Sequence, residues 1–191
     1  MFTFLKKSSG KILELFFKNP EKEYYLREIA RLLGKEPGFF QKTINDFVRE
    51  GILQDRKKGG ARYFHLNKTY PLYNEIKSIV SKTIGVEARL RDLSDEMPDI
   101  ECAFIFGSMA TGKEHILSDI DIIFIGKIDE DLLLEKITPL ESEMEREINY
   151  HIYTKDEIKR KMKEKNDFII RIFKESKIIL KGNPDDFTGN D

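Results

Sequence analysis

Tryptophan is missing from this sequence, cysteine occurs once, and proline only six times. No apolar run approaches the ~18 residues that a membrane-spanning helix requires, and the first residues show neither a secretory h-region nor a cleavage site. The expectation is a cytoplasmic protein with no membrane partner. The single cysteine, Cys102, cannot close an internal disulfide, which fits a reducing compartment. Lying between Glu101 and the apolar run Ala103–Phe106, it reads as a small strand residue rather than a nucleophile. A Lys/Glu-heavy surface with little Gly and Pro also suits a thermophile.

The chain does carry charge, which makes up 35% of its 191 residues, against 40% hydrophobic. That length holds one large domain or two small ones, each with a core. The net charge of −1 hides an asymmetry. Residues 1–70 hold 15 Lys and Arg against 8 Asp and Glu, and the remainder holds 18 against 26. A basic first third and an acidic remainder predict two modules with different partners.

In the basic third, Ser8 or Ser9 is placed to cap a helix running to about Lys18, with Ile12, Leu13, Leu15 and Phe16 as its apolar stripe. Leu26, Ile29, Ala30 and Leu33 recur at helical spacing, and Gly34 suits the position after a helix end. After the turn GKEPG, the spacing predicts a helix from Phe39 to about Glu50 with Phe40, Ile44, Phe47 and Val48 inward. Ile52–Gln54 and Tyr63–Leu66 read as strands around a basic tip holding Arg56, Lys57, Lys58 and Arg62. The stretch YLREIARLLGKEPGFFQKTINDFVREGIL resembles the winged helix-turn-helix family. The resemblance implies a third helix in the DNA major groove and a wing on the backbone or minor groove. Gln41, Lys42, Asn45 and Arg49, opposite the apolar stripe, and Lys57, Lys58 and Arg62 in the wing are then the candidates for DNA contact. One such module reads DNA weakly, so a homodimer is the expectation.

Tyr70-Pro71 breaks the pattern. Residues 71–98 read as a long connecting helix, with Gly85 bending or dividing it and Pro98 closing it. The expected domains are 1–70, the connector 71–98, a second domain 99–183 and a tail 184–191.

The second domain centres on AFIFGSMATGKEHILSDIDIIFIG, residues 103–126. Two apolar runs rich in Ile and Phe read as buried strands, the first ending in Gly107-Ser108 and the second opened by Ser118-Asp119-Ile120-Asp121. Carboxylates at i and i+2 of a strand share a face. Their repulsion is relieved most simply by a hard divalent cation, Mg²⁺ or Mn²⁺, while a Gly-Ser turn offers N–H groups and a hydroxyl to a phosphate. Downstream, Asp129 caps a helix carrying Leu132, Leu133 and Ile137 and interrupted near Pro139. Then follow a strand Ile148–Tyr153, helices at Asp156–Met162 and Phe168–Phe173, and an apolar run Ile178–Leu180.

Gly107-Ser108, ten residues, then Asp119-x-Asp121 in a strand resembles the signature of the minimal nucleotidyltransferases of the DNA polymerase β-like superfamily. The fold class expected is therefore α+β: a winged helix-turn-helix, a connecting helix, and a transferase-like domain with a small mixed sheet. The resemblance implies that Gly107 and Ser108, with Ser118 nearby, hold the phosphates of a nucleoside triphosphate, and that Asp119 and Asp121 are catalytic metal ligands. The family's third carboxylate aligns with Asn149, and Glu147 lies on the same strand face as a substitute ligand. The opposite, inward face carries Ile148, Tyr150 and Ile152, and His151, within reach of the cleft, reads as a polar face residue. Two functions stay open. One is Mg²⁺-dependent transfer of a nucleoside monophosphate to a hydroxyl of a small molecule or of a protein such as a partner toxin. The other is a DNA-binding regulator that binds nucleotide without catalysis.

Overall fold

In the computed structural model residues 8–112 and 118–188 are described. The chain divides into two compact units, Met1–Ala88 and Arg89–Asp191. Among the described residues no helix is long and apolar enough to cross a membrane.

In the first unit, α1 (Ser8–Lys18), α2 (Leu26–Leu32) and α3 (Pro37–Arg49) pack over an antiparallel sheet of β1 (Tyr24–Tyr25), β2 (Leu53–Lys58) and β3 (Ala61–Leu66), in the order β1-β3-β2. The helical stripes converge as the spacing predicts. Ile12, Leu13, Phe16, Ile29, Ala30, Phe40 and Ile44 are buried in one core with Tyr24, Leu53, Phe64 and Leu66 from the strands. The Phe16 ring meets the Tyr24 ring edge-on at 5.2 Å. A fourth helix, α4 (Tyr73–Thr83), buries Val80 against this core, and the Tyr73 ring lies 5.4 Å from that of Phe17.

The structure corrects two expectations for this part, the start of the third helix and the extent of the hairpin strands, and adds detail at two further places. The third helix begins at Pro37, not Phe39, because proline suits the first helical turn, where its missing N–H costs nothing. Tyr24-Tyr25 is a strand, held by pairing with Tyr63 and Phe64. The basic segment is no loop: β2 and β3 stay paired out to Lys58 and Ala61, and only Gly59-Gly60 turns, both with positive φ (+55° and +79°). Of the two outcomes expected at Gly85, division is the one found: the connector is split at Ile84-Gly85 into α4 and α5 (Val86–Glu96), and α5 ends just before Pro98.

The second unit is built on a four-stranded mixed sheet of β4 (Ile100–Phe106), β5 (Ile120–Gly126), β6 (Ile148–Tyr153) and β7 (Ile178–Lys181), in the order β6-β5-β4-β7. β5 runs parallel to β6, and the other neighbours pair antiparallel. α6 (Gly107–Ala110) is a single turn after β4, α7 (Glu130–Met144) links β5 to β6, and α8 (Lys155–Lys163) and α9 (Asp167–Lys174) link β6 to β7. Asp129 caps α7, accepting from the Asp131 and Leu132 N–H groups at 3.0 and 3.2 Å. Beyond β7, a short 3-10 turn at Pro184–Phe187 buries Pro184 and Phe187.

Here too the structure corrects details. Leu132 is exposed while Leu133 and Ile137 are buried, since the helix can present only one of two adjacent leucines to the sheet. α7 is not interrupted at Pro139. It continues to Met144, because proline and Glu135, whose carbonyl loses its partner, both lie on the exposed side. On the sheet face that carries Tyr153, α8 and α9 bury Ile158, Ile169 and Ile172 against Cys102, Phe104, Phe106, Ile123 and Ile125, while Asn149 and His151 at the edge of that face stay exposed.

Cys102 is fully buried in that layer, and burial, with the Asp186 charge nearby, pushes its thiol up to about 12. The native protein is expected to react with Ellman's reagent far more slowly than the same protein in urea. Equal rates would show the thiol accessible in the folded state.

Candidate active site

The site forms where β4 ends and β5 begins. Phe106 pairs with Asp121 across the antiparallel ladder, and on the other side Asp121 is in register with Asn149 of β6. The chain leaves β4 through Gly107, whose φ of +71° favours glycine. Close approach demands glycine as well, because a Cβ there would stand 2.5 Å from Asp121 Oδ2. The backbone of the Gly-Ser turn therefore lies directly under the carboxylate. Ser108 is half-buried in α6, and Thr111 Oγ1 closes the turn by donating to the Gly107 and Ser108 carbonyls at 3.1 Å.

Asp119 is exposed and Asp121 half-buried. Asn149 Nδ2 donates to Asp119 Oδ2 at 3.1 Å. Burial raises the Asp121 pKa above the ordinary carboxylate range, and the Asp119 charge raises it further; the His151 ring and the Asn149 amide oppose the shift. This is a pair of like charges that a cation would relieve, and the amide oxygen of Asn149 is the acceptor its bond to Asp119 leaves over. The donor set thus fits a hard divalent ion. Among the described residues no group of three or more His, Cys, Asp or Glu is assembled to hold a metal. Glu147 is exposed, and its carbonyl accepts the Ile120 N–H at 2.9 Å.

Two residues that sequence reasoning missed set this geometry. Arg146 donates through Nε and Nη2 to the Ser118 carbonyl, at 2.9 and 2.7 Å. Glu141 Oε1 accepts the Ile148 N–H at 2.7 Å. Together they tie the end of α7 to the entry of β5 and the first residue of β6. The only signal in the sequence is one arginine inside the acidic run ESEMERE.

In the first unit, Gln41, Lys42, Asn45 and Arg49 are exposed on α3, and Lys57 and Lys58 are exposed on β2. The structure brings Asn45 and Arg62 together: Arg62 Nη1 donates to Asn45 Oδ1 at 2.7 Å and its Nε to Asp55 Oδ2 at 2.6 Å. Arg49 pairs with Asp46 at 2.8 Å, and Arg56 Nε with Glu23 at 3.0 Å.

A turn that favours glycine thus lies beneath Asp121, and a second aspartate, Asp119, stands two residues earlier, just ahead of β5. The family description "Polymerase beta, Nucleotidyltransferase" matches residues 88–185, just over half the sequence. The chain belongs to the polymerase beta nucleotidyltransferase family. Among solved structures, a toxin–antitoxin with AMP-PNP is similar at 20% identity and a TM-score of 0.38, over 53% of this chain and 80% of that one. A mutant of the toxin–antitoxin MntA-HpeT is similar at 18% identity and the same TM-score of 0.38, with 53% and 80% covered. Among curated proteins none matches.

Gly107→Ala is expected to cost about 1–3 kcal/mol from backbone strain plus the clash with Asp121, read as a lower melting temperature. In an Asp121→Ala background only the strain should remain, so equal losses in both backgrounds would refute the close approach. The raised Asp121 pKa also carries a sign. The folded state holds this proton more tightly than the unfolded state, so the associated stability is full below about pH 4 and lost as pH rises through the elevated value. In chelator-treated protein, Asp121→Asn should therefore melt higher than the parent at neutral pH, and the gain should shrink on acidification. A pH-independent difference would contradict the shift.

Proposed function

We propose that residues 99–183 form a divalent-metal-dependent nucleotidyltransferase that moves a nucleoside monophosphate from a triphosphate to a hydroxyl of a protein or small molecule. Residues 1–70 are its winged helix-turn-helix DNA-binding part. The observation that carries the first half is the Asp119–Asp121 pair over the Gly107 turn. In this reading Asp119 and Asp121, with the amide oxygen of Asn149, would hold Mg²⁺ or Mn²⁺. Such an ion supplies Lewis-acid activation of the acceptor oxygen and neutralises charge on the leaving pyrophosphate. Gly107 and Ser108 offer main-chain N–H groups and a hydroxyl to the triphosphate, with Ser118 at the rim. Arg146 keeps the aspartates' strand in place. An antitoxin-type protein that modifies a partner and controls its own transcription would use both halves.

A second reading is favoured by one residue. Asn149 stands in register with Asp121, where a carboxylate would be the proton acceptor, and an amide is no base. A regulator whose transferase domain binds nucleotide without turnover would need nothing more than this site.

Incubation with labelled ATP, CTP, GTP or UTP and Mg²⁺, alone and with lysate, separates the two. Transferred label that disappears in Asp121→Asn supports the enzyme. Nucleotide binding with no transfer under any condition supports the regulator. For the DNA half, gel shifts at two salt concentrations should show weaker binding at the higher, and the Lys57/Lys58/Arg62→Ala variant should lose affinity and flatten that dependence. Unchanged affinity would remove the hairpin from the DNA interface.

A further inference from the structure

The second unit is acidic except in one place. Residues 155–177 hold nine Lys and Arg against five Asp and Glu, while the rest of residues 89–191 holds seven against nineteen. This basic island is α8, α9 and their connections, and Lys159, Arg160, Lys163, Lys165, Arg171 and Lys174 on it are exposed. It borders an aromatic row that the transferase reading does not use. His151 is exposed on edge strand β6, two residues beyond Asn149, and Tyr153, two further on, is half-buried. Their rings lie nearly parallel, 20° apart with centres at 6.3 Å. Phe168 of α9 meets the His151 ring edge-on at 5.2 Å and the Phe106 ring at 6.1 Å. Cations stand beside these rings: Lys161 Nζ is 5.6 Å from the centre of Tyr153, and the Arg171 guanidinium 6.0 Å from that of Phe168.

We propose that this β6–α8–α9 face binds single-stranded nucleic acid, its rings taking bases and its cations the phosphates. Two observations select this occupant. Charge complementarity calls for a polyanion, since the island is positive on an otherwise negative unit. Exposed and half-buried rings flanked by Lys and Arg are the combination that holds an unpaired strand, because every base has a face to stack and every link a charge to pair. A duplex would hide its bases from these rings. An acidic polypeptide would satisfy the cations and leave the rings without partners. The proposal goes beyond the transferase reading and holds whether or not the site turns over.

The test uses the full chain with Lys42, Lys57 and Lys58 changed to Ala, so that the first unit contributes little to binding. A labelled oligo(A) RNA and a poly-glutamate peptide of equal charge are titrated by fluorescence anisotropy at several salt concentrations. The RNA should bind more tightly than the peptide. His151→Ala should weaken it about tenfold, as expected for one lost stack, with the salt dependence unchanged. Lys161→Ala with Arg171→Ala should instead reduce the slope of log K against log salt by about 1.4. Melting curves establish that each variant is folded, and labelled-ATP binding reports separately on the nucleotide site. Equal binding of peptide and RNA assigns the face to an acidic protein and overturns the proposal, as does RNA affinity insensitive to His151. Loss of ATP binding alone counts against the transferase reading only.

Discussion

Two like charges held together by a strand are the constraint to which the second unit answers. Asp119 stands just ahead of β5 and Asp121 within it, and the parallel pairing with β6 puts Asn149 in register with Asp121 and in bonding reach of Asp119. Burial and mutual repulsion make Asp121 reluctant to ionise. The surroundings meet this in three ways. The Asn149 amide donates where a third acid would repel. The glycine turn yields room for the carboxylate. Arg146 and Glu141, at the end of α7, fix the strands that carry the acids. The geometry is preorganised by the sheet and not by the acids themselves, which oppose it.

Much of this was legible in the sequence because the sheet of the second unit is covered on both faces. Its two central strands, β4 and β5, appear as short apolar runs rich in Ile and Phe, and the Gly107-Ser108 and Asp119-x-Asp121 pairs sit at their ends. Helix caps such as Asp129 were readable because capping is local. The missed features depend on tertiary contact. β2 reads LQDRKK and buries only Leu53, so no alternation carried the expected strand beyond Gln54 to Lys58. Leu132 and Leu133 fit the helical stripe equally well, and only packing chose between them. Arg146 reaches a carbonyl 28 residues away, a bond no spacing rule announces.

The chemistry divides along the same line. The identities of the acids and of the glycine turn could be read directly. That Asn149 bonds Asp119, and that α8 and α9 pack on the sheet beside an exposed His151, required the fold. Asn149 is the residue on which the two proposed readings part.

The two-glycine turn between β2 and β3 has a consequence for how charge is counted. With the ladder intact to Lys58, the cations of the hairpin alternate between its two sides. Lys57 lies opposite Arg62, on the side where Arg62 reaches Asn45 of α3, while Arg56 and Lys58 project the other way, where Arg56 meets Glu23. What looks in one dimension like a dense basic cluster is a two-sided ribbon with half its charge on each surface. A partner lying against α3 meets only one of those halves.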